Sequence, residues 1–347
     1  MRNGEKMNVK IGNKEISNFG EPFIVGDIGA NHNGDMELAK KLIKTLKATG
    51  ADCAKFQLWS KENLFSKSLY ESNKELEDQL DLWAFGNDEM IRLKEYCDEI
   101  NIMFACTPIS KENVDFLVDD LDVDYIKVAS MDVSNHPFLE YVAKKEKPII
   151  LSTGTATLSE IDESVGIIED TGNDKLVLLH CSSLYPPNDK EINLLNIDTL
   201  MGLYGYPVGY SDHTLGIAVS IASVARGACS IEKHFTLDKK TEGWDHKISA
   251  DFEDMKNIVL ESKRIREALG HSRRIPSQRE IHQRLVFRRS IFSKRDIKKG
   301  ETFSEENLVF KRPGSGIEPK FLNLIIKKKS KNDIKQDEFI KWSDIEL

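Results

Sequence analysis

The sequence predicts a (β/α)8 TIM barrel followed by a small β-rich domain. Three observations carry that expectation. Short apolar runs alternate with helical stretches eight times between residues 23 and 269. Each apolar run ends in polar, chemistry-bearing residues, as barrel strands do at the active-site face. Past residue 271 the character changes to short strand-like runs broken by turn residues. A chain of 347 residues is long enough for one large α/β domain and a small one. The expected division is a catalytic barrel over 1–270, a polar linker over 271–285 carrying Pro276, and a compact domain over 286–347.

Residues 1–21 read as a polar lead-in forming a short hairpin over one end of the barrel. Residues 23–30 (FIVGDIGA) are the first strand, and Asn31-His32-Asn33-Gly34 is a turn. Asp35 caps a helix over 36–49, where Leu38, Ala39, Leu42, Ile43 and Leu46 keep the helical period, and Gly50 ends it. Residues 53–58 are the second strand. Residues 59–82 are long and mostly polar, a loop with short helix placed where a substrate lid is common. A helix over 87–100 leads to the third strand, 102–107, and a helix over 111–119 to the fourth, 125–130. Helices over 137–145 and 159–171 lead to strands 148–154 and 176–182, the first of these helices preceding strand five and the second strand six. A partly helical stretch, 195–204, precedes strand seven, 208–212; a helix over 216–227 precedes strand eight, 230–234; and 253–269 is the closing helix. The rival architecture is an open doubly wound sheet. The lack of GxGxxG after the first strand weakens its dinucleotide-binding version.

A net charge of −8 argues against a general nucleic-acid binder. The basic excess beyond His271 is either a solvated face or a surface that helps hold an anion. Cys53, Cys97, Cys106, Cys181 and Cys229 are odd in number, form no CxxC, and mostly sit in or beside apolar runs. Buried reduced thiols in a cytoplasmic protein fit that pattern. No apolar run is long enough to span a bilayer, and no membrane partner is expected.

The stretch from Tyr210 to Ser249 reads strand–His213, helix, strand–His234. Two parallel strands joined by a helix bring both histidines to one sheet edge, where paired imidazoles can ligate a divalent metal or serve as hydrogen-bonded structural residues. The other strand ends offer Asp27, Asn31 and His32; Lys55 and Gln57; Thr107; Lys127 and Ser130; Ser152 and Thr153; His180, Ser182 and Ser183; Ser211 and Asp212; and Lys233. Singly, a strand-end hydroxyl caps a loop and a lysine pairs with a neighbouring acid. Jointly, Lys55, Lys127, Thr107, Ser130, Ser152 and Ser211 suit a ligand carrying both phosphate and carboxylate. A divalent ion beside that ligand could polarise a carbonyl, with Asp245 or Asp27 orienting water or accepting a proton. His32 and His246 are weaker candidates with a structural alternative.

The segments IGANHNGD, AKFQ, KVAS, LSTGTA, HCSSLYP, GYSDHTLGIA, IEKHFTLD and WDHKIS resemble the N-acetylneuraminate (sialic acid) synthase family, which includes the legionaminate and pseudaminate synthases. The tail RRSIFSKRDIKKGETFSEENLVFKRPGSGI resembles its C-terminal antifreeze-like (SAF) domain. The resemblance implies condensation of phosphoenolpyruvate (PEP) with an N-acylated amino sugar aldehyde to a nine-carbon 2-keto acid and phosphate. In that family carbon 3 of PEP attacks the aldehyde, water adds at carbon 2, and phosphate leaves by C–O cleavage. It also implies Mn2+, or another divalent cation such as Mg2+ or Co2+, on His213 and His234. Lys55, Thr107, Lys127, Ser130, Ser152 and Ser211 would hold PEP. Asp27, Gln57, Asp132, Ser183, Tyr185 and Asp245 would lie on the sugar or water side. Arg312 would reach from one protomer into the other's barrel, making a domain-swapped homodimer.

Departures fall on the sugar side. Asp27 and Ser130-Met131-Asp132 stand where the family usually has Glu and Ser-Gly-Glu, Ser183 where Asn is common, Trp244 where Pro is usual, and Ser249-Ala250-Asp251 where Ser-Leu-Glu is common. The expectation is intact PEP chemistry on a sugar other than N-acetylmannosamine. The alternatives are a PEP-condensing synthase acting on a phosphorylated aldose, and a degenerate carbohydrate-binding homologue.

Overall fold

A computed structural model describes residues 7–346. The first six residues of the expected lead-in lie outside the described residues. The chain divides into two compact units, Met1–Gly270 and His271–Leu347.

The first unit opens with an antiparallel hairpin, β1 (Val9–Ile11) and β2 (Lys14–Ile16). Val9, Ile11 and Ile16 pack against inward side chains of the barrel, Phe23, Val25, Tyr125, Val177 and Leu179 among them, so the hairpin plugs the end opposite the strand C-termini. The barrel strands are β3 (Phe23–Asp27), β4 (Cys53–Leu58), β5 (Met103–Pro108), β6 (Ile126–Val128), β7 (Ile149–Ser152), β8 (Leu176–Cys181), β9 (Val208–Asp212) and β10 (Ser230–His234). The sheet runs β5-β4-β3-β10-β9-β8-β7-β6, with every recorded pairing parallel, and the first barrel strand pairs with the last. Among the described residues no ladder joins β5 to β6, although they lie side by side, so the barrel is nearly closed.

Strand alternation builds the layers. Outward residues such as Leu176 and Leu178 pack against the surrounding helices, while Val177 and Leu179 fill the interior. Helix α1 (Met36–Thr49) begins where Asp35 accepts the N–H groups of Glu37 and Leu38, and ends at Gly50, whose φ of 88° is left-handed. Its face of Ala39, Leu42, Ile43 and Leu46 is buried.

The segment expected as a polar loop with short helix over 59–82 is more helical than that: α2 (Lys61–Leu64), α3 (Lys67–Glu71) and α4 (Lys74–Trp83). Leu76, Leu80 and Trp83 keep helical spacing beneath the charge-rich surface, and Trp59, Tyr70, Leu80 and Trp83 form a cluster of their own with Ala30. Around the barrel follow α5 (Asn87–Glu99), α6 (Lys111–Asp115, continuing as a π turn over Phe116–Asp120), α7 (His136–Ala143), α8 (Leu158–Asp170), α9 (Asp189–Ile192), α10 (Asn196–Tyr204), α11 (Ala218–Ala225) and α12 (Phe252–Leu269). All five cysteines are buried and unpaired. Among the described residues no helix is long and apolar enough to cross a membrane.

In the second unit, the stretch expected as a linker carries a helix. Ser277 caps a helix, α13 (Gln278–Phe287), by accepting the Glu280 N–H, and none of that helix's residues is buried. Its charged surface hides the helical signal. The strands β11 (Ser290–Ser293) and β12 (Leu308–Lys311) pair antiparallel. The rest is held by isolated bridges and the short helix α14 (Leu322–Ile325), over a core of Ile291, Ile297, Phe303, Leu308, Ile317, Ile325, Ile334, Ile340 and Ile345.

Candidate active site

The strand C-termini of the barrel surround a cavity of about 580 Å3. Its polar floor comes from alternate residues of successive strands: Asp27 from β3, Lys55 and Gln57 from β4, Thr107 from β5, Lys127 from β6, Ser152 from β7, Cys181 from β8, Ser211 from β9, and Glu232 and His234 from β10. Ser130, Ser183, Tyr185, His213 and Asp245 reach it from the loops that follow. The two-residue repeat of a strand explains why Lys55 and Gln57, and Glu232 and His234, arrive together.

Both lysines are buried. The Lys55 ammonium donates to Asp27 Oδ2 at 2.7 Å and lies 3.6 Å from Glu232 Oε1. The Lys127 ammonium donates to Ser152 Oγ at 2.7 Å and to the Val128 carbonyl at 2.9 Å, and lies 3.8 Å from Glu232 Oε1. Ser211 Oγ donates to the same Glu232 oxygen at 3.2 Å. The Gly154 N–H donates to Ser130 Oγ at 3.0 Å, and a Cβ on Gly154 would lie 2.2 Å from Ser183 Oγ, so only glycine admits this approach.

Burial pushes the Asp27 carboxyl up, but Lys55 and His234 outweigh it and hold the group below its usual range. Burial would lower Lys55, yet Asp27 and Glu232 raise it. Lys127, with burial only partly offset by Glu232, falls below its ordinary value. The floor therefore holds two ammonium groups against two carboxylates, balanced before any ligand arrives.

Buried donors and acceptors are normally satisfied. Asp27 Oδ1, Thr107 Oγ1 and His234 Nδ1 are buried and hydrogen-bond to nothing in the protein. His234 Nδ1 lies 3.6 Å from Asp27 Oδ2 and 3.7 Å from Asp245 Oδ2. His213 Nδ1 lies 2.8 Å from the Ser182 carbonyl, which can only accept, so the proton is on Nδ1 and the Nε2 lone pair is free. Burial, reinforced by His234, pushes His213 down to about 4, keeping it a neutral donor at neutral pH. The two imidazole centroids are 5.6 Å apart. These residues fit a divalent cation held by two nitrogens with substrate or water in its other positions. Among the described residues no group of three or more His, Cys, Asp or Glu side chains is arranged to hold an ion by itself.

One wall is apolar: Trp59, Leu64, Phe65, Ile109, Met131 and Trp244. Trp244 stacks on Trp59 with centroids 5.9 Å apart, meets Trp83 edge-on at 5.1 Å, and donates to Gln79 Oε1 at 3.0 Å. Tyr185 lies over His213, with centroids 4.2 Å apart.

One of the expected barrel residues does not line this cavity. Asp132 lies outside the lining: the chain turns into a 3-10 helix over Ser130–Asp132, which puts Met131 on the wall, while the Asp132 carboxylate accepts from Asn135 Nδ2 at 2.9 Å. Burial raises the Asp132 pKa despite that bond. Arg312 belongs to the second unit, where its guanidinium is 5.3 Å from the Phe287 ring centroid. Other polar strand-end residues have structural partners. Asn31 Nδ2 donates to the Phe235 carbonyl, His180 bonds the Ile192 carbonyl, His246 bonds Thr236 and Lys233 pairs with Asp212. Thr153, His180 and Ser182 instead line an adjacent cavity of about 310 Å3. Glu232 is the residue the sequence reading missed. Its signal was available, because it precedes His234 by two in SIEKH and so shares its face.

A NeuB family model matches residues 42–274 and a SAF domain model matches 288–346. An uncharacterized protein of Methanocaldococcus jannaschii is 45% identical over 97% of this chain and 98% of its own. The N,N'-diacetyllegionaminic acid synthase of Campylobacter jejuni is 39% identical over 92% of this chain and 98% of its own. The crystal structure of N-acetylneuraminic acid (sialic acid) synthetase from Leptospira borgpetersenii, in complex with citrate, superposes with a TM-score of 0.75 at 37% identity, covering 80% of this chain and 95% of that one.

Proposed function

The chain belongs to the NeuB family and carries a SAF domain, and on that premise we propose that it condenses PEP with an N-acylated amino sugar aldehyde, releasing phosphate. The observation that carries this reading is the pair of buried lysines and four hydroxyls facing one cavity beside two histidines. Lys55 and Lys127, with Thr107, Ser130, Ser152 and Ser211, bind the phosphate and carboxylate of PEP. His213 and His234 hold the divalent ion. When bound, an ion such as Mn2+, Mg2+ or Co2+ supplies Lewis-acid polarisation of the sugar's aldehyde oxygen and offsets the charge PEP brings to a balanced floor. Asp245 and Asp27 orient water and accept its proton as it adds at carbon 2. Carbon 3 of PEP bonds the aldehyde carbon, and the carbon 2–oxygen bond to phosphate breaks. Gln57, Ser183 and Tyr185 contact the sugar. The wall of Trp59, Leu64, Phe65 and Trp244 suits a sugar with methyl and acylamino groups in place of hydroxyls, a 2,4-diacetamido-2,4,6-trideoxyhexose rather than N-acetylmannosamine. Arg312 from a partner's SAF domain completes the site in a homodimer. The protein works in the cytoplasm.

Phosphate release from PEP, measured with Mn2+ and a sugar panel, tests the reading. Release with the trideoxyhexose and loss of release after EDTA is expected. Release only with arabinose 5-phosphate would move the chain to the phosphorylated-aldose synthases, and no release with any sugar despite PEP binding would make it a binding homologue.

A further inference from the structure

The two histidines sit one residue beyond the last rung that joins their strands. The β9–β10 ladder ends at Lys233 opposite Asp212. His234 still pairs with Asp27 on its other side, but His213 follows the end of β9. Strand pairing therefore does not by itself fix His213 against His234.

A buried polar cluster occupies the outward face at that rung. Lys233 Nζ donates to Asp212 Oδ2 at 3.0 Å and to the Thr214 carbonyl at 2.8 Å. Asp212 Oδ1 accepts the Thr214 N–H at 2.8 Å and the Tyr210 hydroxyl at 3.3 Å, and Oδ2 accepts the Ser220 hydroxyl from α11. Lys233 is 1% exposed and Asp212 fully buried. None of these groups lines the cavity. One lysine thus grips the residue before His213 and the residue after it, from the position just before His234. An outward face packed against a helix needs only apolar side chains. A buried ion pair costs desolvation that its attraction often fails to recover, so a geometric requirement accounts for its presence better than stability does.

We propose that Asp212 and Lys233 are positioning residues for a divalent cation: their pair sets the separation and orientation of His213 and His234. The inference rests on the metal reading above and adds to it the residues that make a two-histidine site selective for one geometry. Outer groups that orient ligands typically account for 10–100-fold in metal affinity.

The test is Mn2+ binding by calorimetry and by the free-ion spectroscopic signal, on the full chain without substrate. Lys233→Met is expected to weaken Mn2+ by about 10–100-fold, while PEP binding in EDTA stays within about twofold of wild type and circular dichroism is unchanged. Should that variant fail to fold, the pairwise Asp212→Leu/Lys233→Met change leaves no uncompensated buried charge and is expected to fold with the same Mn2+ defect. A stability role alone would lower the melting temperature in EDTA and leave the Mn2+ affinity of the folded variant at the wild-type value, which overturns the proposal. Wild-type protein that binds no Mn2+ overturns the metal reading and this inference with it.

Discussion

His32 shows how position, not residue type, decides whether a polar strand-end group does chemistry. Its ring stacks on Phe85 with centroids 3.8 Å apart, and its Nδ1 accepts the Gly34 N–H at 3.1 Å. Burial pushes it down to about 4. The folded state keeps it neutral while the unfolded chain takes up a proton near the ordinary value of 6.5. Its contribution is therefore complete above about pH 6.5 and is lost as pH falls toward about 4, a difference of about 3 kcal/mol. Urea melts of wild type and His32→Gln at pH 7.5 and pH 4.5 check this. The variant should lose less stability on acidification, and equal losses would contradict it. Lys55, Lys127, Ser152 and Ser211 were legible because strand alternation alone faces them inward. Asp132 was not, because β6 stops at Val128 and a 3-10 turn resets which side chain faces the cavity. Glu232 was legible by the same alternation, two residues before His234, and the assembled floor sets its carboxylate against Lys55, Lys127 and Ser211.

The three short helices after β4 are the element that builds much of the cavity's apolar wall. Trp59, which precedes them, and Trp83, which ends them, both meet Trp244, which lies after β10, two strands along the sheet from β4. Trp244 therefore joins these helices to the loop that carries Asp245. Trp244→Ala removes two aromatic contacts and the Gln79 hydrogen bond, each worth about 1 kcal/mol. The expected result is a sugar KM raised about tenfold or more with PEP affinity unchanged. Initial rates with each substrate varied in turn check it, and an equal rise in both KM values would show general collapse instead. This element was only half legible. Its length and place after a strand marked it out, but its charged surface masked the helical spacing of Leu76, Leu80 and Trp83, and no local signal reveals that Trp244, 161 residues beyond Trp83, completes the cluster.

At the scale of the molecule, the barrel was legible because each strand and helix declares itself locally and right-handed crossovers leave one closed arrangement. The second unit was less so: its core is assembled from residues scattered over Ile291 to Ile345 and held by isolated bridges, which leave no long alternating pattern to read. What the sequence does place in that unit is Arg312, and the proposal that it acts on a partner's barrel has a test that a cis arrangement cannot pass. A closed two-fold dimer that exchanges its second units has two equivalent sites, each built from both chains. Arg312→Ala leaves every barrel intact and every site without its arginine. His213→Ala leaves every arginine intact and every barrel without a ligand. Each homodimer should be nearly inactive. Unfolded together and refolded, half the dimers carry one chain of each kind, and the Arg312→Ala barrel there receives its partner's arginine. One of the two sites is whole, so recovered activity should approach about a quarter of wild type for the mixture. With Arg312 acting on its own barrel, no site in any dimer is whole and mixing recovers nothing.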